Sequence, residues 1–502
     1  MDNNIYLGID VGTQGIRGIA WQSGEIVARA QVALVTRTPQ SGWAMQELAH
    51  IWSGFRFVVT NLAGQLGDRC HLIRGLGIDA TASILLVTPC GEPLTDVLLW
   101  MDVRAKDYVE TIGGLMGRPE SAELPWSKAL WLYEHHGALF RGNRLVEVAD
   151  WLTWRLTGEW TRSESSAILK WHAQLPNYLP EWANLFPEIA DALPKRVVRV
   201  AEPVGVIQRA VAEELNLSDN PIVIPGSLID AYAGAIGSGA LEDGSMALIL
   251  GSSTCELFHG RGFTATAGLW GPFHDIYHVG LDVLEAGQPS TGSVVRWVQR
   301  NFAPGCTLEE LDLRASKVNP GSLGLKVFPA FQGVRSPWPD ASSRGQIDGL
   351  SLGHDVSHML RAVYEGTAID IRRVMDVLEP GTVRRIIASG GGVKSQLWTQ
   401  IIADVCGLPL ELADNDAVTR GAAMLAAKAD GTINNLADIS FQWPTITPSD
   451  NNGLYQKLYS EYLEVFPTKR PRIVSKFLEA NSFPPVTPYG NDSSGSMGGR
   501  RH

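Results

Sequence analysis

Short apolar runs that stop at glycine-rich turns set the pattern of this chain. Ile5, Leu7 and Ile9 form one face of a buried strand, and the run ends in Asp10, Gly12, Thr13, Gln14 and Gly15. The apolar pattern resumes at Ile16, Ile19 and Trp21, which predicts strand, tight turn and strand. The arrangement returns at Met246–Leu250, followed by Gly251-Ser252-Ser253-Thr254 and a second strand. Each unit stands early in its half of the chain. The pattern therefore predicts two similarly built domains facing one cleft.

Elsewhere the periods alternate between strand and helix. Leu48, Trp52, Phe55, Val59 and Leu62 share one face of a helix predicted over 46–63. A strand is expected over 72–79, ending in Asp79-Ala80-Thr81-Ala82-Ser83, and a further apolar run covers Ile84–Val87. Ile222–Ile224 forms a β-branched run into a Pro225-Gly226 break, after which Asp230 opens a small-residue helix. Leu360, Val363, Thr367, Ile371, Val374 and Leu378 make a stripe that Glu379-Pro380-Gly381 ends. A strand from residue 383 breaks into Gly390-Gly391-Gly392, and Lys394 to Cys406 reads as a helix capped by Gly407. Helices are also expected from Thr419 and over about 451–466, with a disordered Pro/Gly/Ser-rich tail after them.

The turns carry the candidate chemistry. Glycines at 12 and 15 let backbone N–H groups approach a bound anion, Thr13 and Gln14 add donors, and Asp10 can hold a metal ion or its water shell. An ordinary hairpin explains the same residues. Trp100, Asp102 and Arg104 combine an aromatic platform with charged groups able to fork hydroxyls; a core tryptophan beside an ion pair is the alternative. Asp230 at a helix N-terminus is expected to be stabilised in its ionised form, ready to take a proton from an attacking alcohol, or else it is a plain helix cap. The Gly390–Gly392 cluster lets a nucleotide base or ribose lie against bare backbone.

Composition narrows the class. The chain has 502 residues, more than one ordinary domain, with 45% hydrophobic and 19% charged residues. Its net charge of −11 argues against nucleic acid as a partner. Cys70, Cys90, Cys255, Cys306 and Cys406 are scattered, without Cys-x-x-Cys spacing, which points to a reduced cytoplasmic setting. No apolar run approaches the ~18 residues of a membrane span, so no membrane partner is expected.

With these residues in place, the chain resembles the FGGY family of carbohydrate kinases. Pro125, Lys128 and Trp131 partly match its first signature. Gly345-x-Ile347-x-Gly349-Leu350, His358-Met359 and Ala362-Val363-Tyr364-Glu365 match its second in full. The resemblance covers about residues 5–466 and implies an α/β chain of two actin/hexokinase-like (ribonuclease H-like) ATPase domains flanking a central cleft. The expected boundaries are 1–240 and 241–470, with 471–502 as the tail. It implies ATP and Mg²⁺, with Asp230 as catalytic base and Asp10 and Asp230 toward the metal. Gly12, Thr13, Gln14 and Arg17 would face the γ-phosphate, Gly251, Ser252 and Ser253 the other phosphates, and Gly390, Gly391, Gly392 and Lys394 the nucleoside. Ala82, Trp100, Asp102, Arg104, Asp150, Lys170, Asp230 and Glu285 would surround the sugar. The Asp79–Ser83 loop with Asp150, Lys170 and Glu285 is closest to ribulokinases and implies a pentulose, ribulose first. Xylulose, a pentitol or a tetritol stays open, as does a non-catalytic ATP and sugar sensor on the same fold, and a homodimer is one assembly left open. Two departures stand out: Gly15 replaces the usual Ser, and Pro289 replaces a small polar residue near Glu285.

Overall fold

A run of residues apolar on both faces has to be covered on both faces, and the first strand is. β1 (Ile5–Gly12) is buried along nearly its whole length, and it pairs antiparallel with β2 (Gly15–Gln22), which continues to β3 (Glu25–Ala33). The computed structural model describes residues 3–117, 120–340 and 342–466; the expected tail lies outside them. On the other side of β1 runs the parallel strand β4 (Ile73–Ala80), followed outward by β6 (Val223–Pro225) and β5 (Pro203–Val206). A short strand, β7 (Leu228–Ile229), also pairs with β4. Helix α1 (Leu48–Leu66) covers β2 and β3 with Phe55, Val58, Val59 and Leu62.

The second half repeats this plan. β8 (Ser245–Leu250) pairs antiparallel with β9 (Thr254–Gly260) and parallel with β12 (Arg385–Ser389). Beyond β9 lie β11 (Asp282–Gln288) and β10 (Trp270–Phe273); beyond β12 lie β13 (Leu410–Leu412) and β14 (Thr445–Ile446). Among the described residues each half thus has a seven-stranded sheet.

Two helices tie the sheets together. Helix α2 (Asp230–Ser238) and helix α3 (Ala417–Ala429) contribute Tyr232, Ile236, Ala423 and Met424 to a buried cluster that also takes Ala247, Leu257 and Ile387 from the second sheet and Tyr6 from the first. Their approach is so close that only glycine fits at the crossings. A Cβ at Gly8 would lie 1.9 Å from the Thr419 carbonyl oxygen, and one at Gly421 would lie 1.9 Å from that of Ala233. Backbone on both sides leaves no side chain to yield.

Most predicted elements are present with shifted ends. The helix expected over 46–63 spans Leu48–Leu66, and the strand expected over 72–79 spans Ile73–Ala80. The helix carrying Leu360 to Val374, Val356–Met375, stops before Leu378 and starts on a capping box made by Asp355 and His358. From the second of the three glycines the chain makes a 3₁₀ turn, Gly391–Lys394, and the helix then runs over Gln396–Cys406. Ser395 supplies its cap by accepting a hydrogen bond from the Trp398 amide, so the helix starts two residues later than expected.

Candidate active site

Strand register brings three acids to one place. Asp10 on β1 is level with Asp79 on β4, Asp79 is level with Leu228 on β7, and Asp230 follows that strand directly. Asp10 and Asp79 are fully buried, whereas Asp230 keeps some access to solvent. Arg17, opposite Asp10 on β2, pairs with its Oδ2. Burial raises the Asp10 carboxyl above the ordinary range against the pull of Arg17. Burial, with the charges of Asp10 and Asp230, holds Asp79 well above it. Neither Asp79 oxygen has a hydrogen-bond partner among the described residues.

Asp230 opens α2 as expected, and the cap position falls to Ile229, which makes no side-chain cap bond. Its charge state departs from expectation. The helix N-terminus does help the ionised form, since the Ala231 amide donates to Asp230 Oδ1 at 2.8 Å. Burial and the Asp10 charge are stronger, however, and push the carboxyl up to about 6 rather than down. The result is an acid ionised at neutral pH yet basic enough to accept a proton.

The first turn is held from below. The Thr13 carbonyl accepts from Gln46 Nε2 at 2.8 Å, the Gln14 carbonyl accepts from the Leu34 amide at 3.0 Å, and the Thr13 hydroxyl accepts from Trp100 Nε1 at 2.9 Å. Gly12 closes the hairpin with Gly15, and a Cβ on Gly15 would lie 2.4 Å from the Val32 carbonyl oxygen. That contact with β3 explains glycine where a serine was expected. The second turn, Gly251-Ser252-Ser253, accepts hydrogen bonds from the Thr291, Gly292 and Ser293 amides at the start of helix α4 (Gly292–Phe302). Gly390, at φ +92°, packs beside it: a Cβ there would lie 2.7 Å from the Leu250 carbonyl oxygen. Gly391 and Lys394 are exposed and Gly392 is half-buried, so this loop borders the second turn with its backbone open.

The expected sugar-facing residues divide into two groups. Lys170 Nζ donates to Glu285 at 3.1 and 3.3 Å, and Glu285 also accepts from the Tyr232 hydroxyl at 2.8 Å. Burial works against the Lys170 charge, but Glu285 and the nearby Asp230 hold its ammonium above the ordinary range. Trp100 is half-buried, bound to Thr13 and, through its amide, to the Ser83 hydroxyl at 3.1 Å; Ala82 is buried beside that loop. Asp102 and Arg104 behave differently. Asp102 is fully buried and accepts from the Ala44 amide and from Arg104 Nε and Nη2. The Arg104 guanidinium is 4% exposed and stacks 3.6 Å from the centre of the Trp43 ring. The pair is spent on itself and braces the Trp100 loop from behind, which corrects the expectation that it forks ligand hydroxyls. Asp150 is buried too, accepting from the Ser163 amide at 3.1 Å, and burial with the Glu147 charge pushes its carboxyl up to about 8.

Asp79 and Tyr232 are additional members of the site. Asp79 was visible as a strand-end acid, but only the parallel register with Asp10 makes it part of the group. Among the described residues no set of three His, Cys, Asp or Glu side chains has the geometry of a metal site. The donor set still suits a hard, oxygen-seeking cation: the buried carboxyl groups outnumber the guanidinium beside them, and among the described residues neither Asp79 oxygen has an N–H or O–H donor.

Comparison with known proteins identifies the family. The profile of the FGGY family of carbohydrate kinases, N-terminal domain, matches residues 5–237, and that of the C-terminal domain matches residues 246–429. The chain belongs to the FGGY family of carbohydrate kinases. It is accordingly a phosphotransferase acting on a carbohydrate. An FGGY carbohydrate kinase domain-containing protein of Xenopus laevis is 28% identical, covering 92% of this chain and 96% of its own length. A ribulokinase of Mycolicibacterium smegmatis is 28% identical, with 84% of each chain covered. Among solved structures, the xylulose kinase of Rhodospirillum rubrum superposes with a TM-score of 0.80 at 24% identity, covering 92% of this chain and 98% of that one, which establishes the shared fold. No helix among the described residues of this FGGY kinase is long and apolar enough to cross a membrane.

Proposed function

We propose that this FGGY kinase transfers the γ-phosphoryl group of ATP to a hydroxyl of a small ketose, a pentulose with ribulose as the first candidate. The observation that carries the reading is Asp230: a carboxyl raised to about 6, beside the Lys170–Glu285–Tyr232 hydrogen-bond system. Asp230 accepts the proton of the attacking hydroxyl while Lys170 and Glu285 orient the neighbouring hydroxyls. The turn at Gly12, Thr13 and Gln14 with Arg17, and the turn at Gly251–Ser253, present donors to the phosphates, and Gly390–Gly392 with Lys394 flank the nucleoside. Asp10 and Asp230 would face Mg²⁺ through its water shell, and the ion supplies neutralisation of phosphate charge when bound.

Relatives named ribulokinase, xylulose kinase and glycerol kinase match at 28%, 24% and 26% identity, a spread too narrow to choose a substrate. Ribulose is favoured by the local pattern Asp79-Ala80-Thr81-Ala82-Ser83 together with Lys170 and Glu285. The test is ADP release by the full chain with ATP, Mg²⁺ and a panel of ribulose, xylulose, ribitol, erythritol and glycerol. Turnover highest on ribulose supports the reading. Turnover highest on glycerol or erythritol rejects the pentulose assignment, and ATP binding without release on any of them rejects transfer.

A further inference from the structure

A cavity of about 200 Å³ opens beside Lys170, and neither the Gly12–Gln14 turn nor the Gly251–Ser253 turn lines it. It is smaller than the ~300–1,000 Å³ of pockets for drug-sized ligands, and suits a molecule of a few carbons. Its walls come from both halves: Glu120, Glu123 and His172 from the first, Trp270, Gln332 and Arg335 from the second.

The polar side chains of this wall are matched in pairs. His172 Nε2 lies 2.9 Å from Glu120 Oε2, Arg335 Nη2 donates to Glu123 Oε2 at 2.9 Å, and Lys170 is taken by Glu285. Trp270 stands between the cations, with Lys170 Nζ 5.9 Å and Arg335 Cζ 5.8 Å from its ring centre. Among the described residues of this wall Lys170 and Arg335 are both engaged, so neither is left over to receive an anion. One acceptor does remain open: the Glu120 side chain is fully buried, and its Oε1 has no hydrogen-bond partner among the described residues. A buried carboxylate oxygen left without a donor is costly, and a hydroxyl of a bound molecule would satisfy it.

Resting on the pentulose reading and deepening it, we propose that Glu120–His172, Glu123–Arg335 and Trp270 bind the end of the sugar remote from the transferred phosphoryl group, and select an uncharged, hydroxylated end over a carboxylate. A hydroxyl donates to Glu120 Oε1, and the Trp270 face covers C–H groups. A sugar acid of the same length would set its carboxylate against Glu120 and Glu123, where the cations are already engaged.

Binding, read by calorimetry on the full chain, tests this without relying on turnover. The probes are ribulose, ribitol and ribonate, and the proteins are wild type, Glu120→Gln and Glu123→Gln. Both substitutions keep side-chain size. The Lys128 ammonium bonds the Glu123 backbone carbonyl rather than its side chain, so Glu123→Gln leaves that support in place. Wild type is expected to bind an uncharged probe at least about tenfold more tightly than ribonate. Glu120→Gln should weaken the uncharged probes by about tenfold, as for loss of a charge-assisted hydrogen bond. Glu123→Gln frees Arg335 and should strengthen ribonate by about fivefold or more, narrowing the gap between the uncharged probes and ribonate. A merely structural role would weaken every probe together. The inference is overturned if wild type prefers ribonate or binds none of the probes, or if neither substitution alters the ratio of uncharged to ribonate affinity. The binding pattern without ADP release would leave the wall standing and reject only the phosphoryl-transfer reading.

Discussion

The two halves use one hairpin for different work. Aligning the first glycine of each turn, Gly12 with Gly251, sets Asp10 against Ile249. The parallel neighbours correspond as well: Asp10 is level with Asp79, and Ile249 is level with Ser389. Where the first half places two buried acids, the second places an isoleucine and a serine. The turns differ in the same sense. The first closes over two residues, Thr13 and Gln14, tied to Trp100 and Gln46; the second spans Gly251, Ser252 and Ser253, held by amides from the start of α4 and bordered by Gly390–Gly392. One sheet topology thus supports a charged centre on one side and a neutral, glycine-lined cradle on the other. Topology fixes where strand ends meet; residue choice at one or two positions decides what meets there.

The largest effect expected from disturbing this contrast is at Asp230. Asp230→Asn should lower kcat by ~10²–10⁴, the usual contribution of a general base. The fold should survive, because the cap position belongs to Ile229 and an asparagine oxygen can still accept from the Ala231 amide. Steady-state kinetics on the best sugar of the panel checks this, with circular dichroism as the folding control, and wild-type turnover in the variant would remove Asp230 from the chemistry.

Copying the acid into the neutral half is the next test. Ser389→Asp buries a carboxylate beside Ile249 with no arginine in the place of Arg17, which should cost ~1–3 kcal/mol. Burial raises its folded-state pKa above the unfolded value, so the protein should be closest to wild-type stability at acidic pH and fall away as pH rises through the raised pKa. Thermal melts between pH 5 and pH 8 read this directly; a pH-independent difference from wild type would show that the second half tolerates the charge.

Lys170 sharpens the contrast from the cleft side. Lys170→Met removes a hydrogen-bond donor to the sugar and should raise its KM about tenfold while the KM for ATP changes little. Lys170 also lowers the Asp230 carboxyl, which stands at about 6 with that help included. Its loss should therefore move the acidic limb of kcat/KM, where Asp230 must ionise, to higher pH. An unmoved limb with an unchanged sugar KM would place Lys170 outside the site.

The last effect is on stability alone and concerns Asp150. Its folded-state pKa of about 8 lies above the unfolded value, so its contribution is complete below the unfolded pKa and is lost as pH rises toward 8. Asparagine at this position can still accept from the Ser163 amide but has no charge to desolvate. Asp150→Asn should melt progressively higher than wild type from pH 5 to pH 8, and a gap that shrinks with pH would contradict the assignment.

Much of this architecture was legible in the chain itself. Local alternation and glycine placement were enough to find both hairpins, the helix over 48–66, the strand carrying Asp79 and the helix opened by Asp230, because hydrophobic period and turn chemistry are properties of neighbouring residues. The Lys170 and Glu285 positions were reachable only through family resemblance. Charge partners lay beyond local reading. Asp102 and Arg104 looked like ligand groups, but burial among Ala44, Trp43 and Trp131 turned them into a brace. The start of a helix suggested an Asp230 pushed toward its ionised form, whereas desolvation and Asp10, contributed by a strand 220 positions earlier, pushed it the other way. The sequence by itself determined which segments become strands, turns and helices, since those depend on contacts a few residues apart. Which acids share a site, which cations are already neutralised and which carboxylate oxygen stays open were decided only by the tertiary structure, because burial and Coulomb interactions depend on distance in space rather than along the chain.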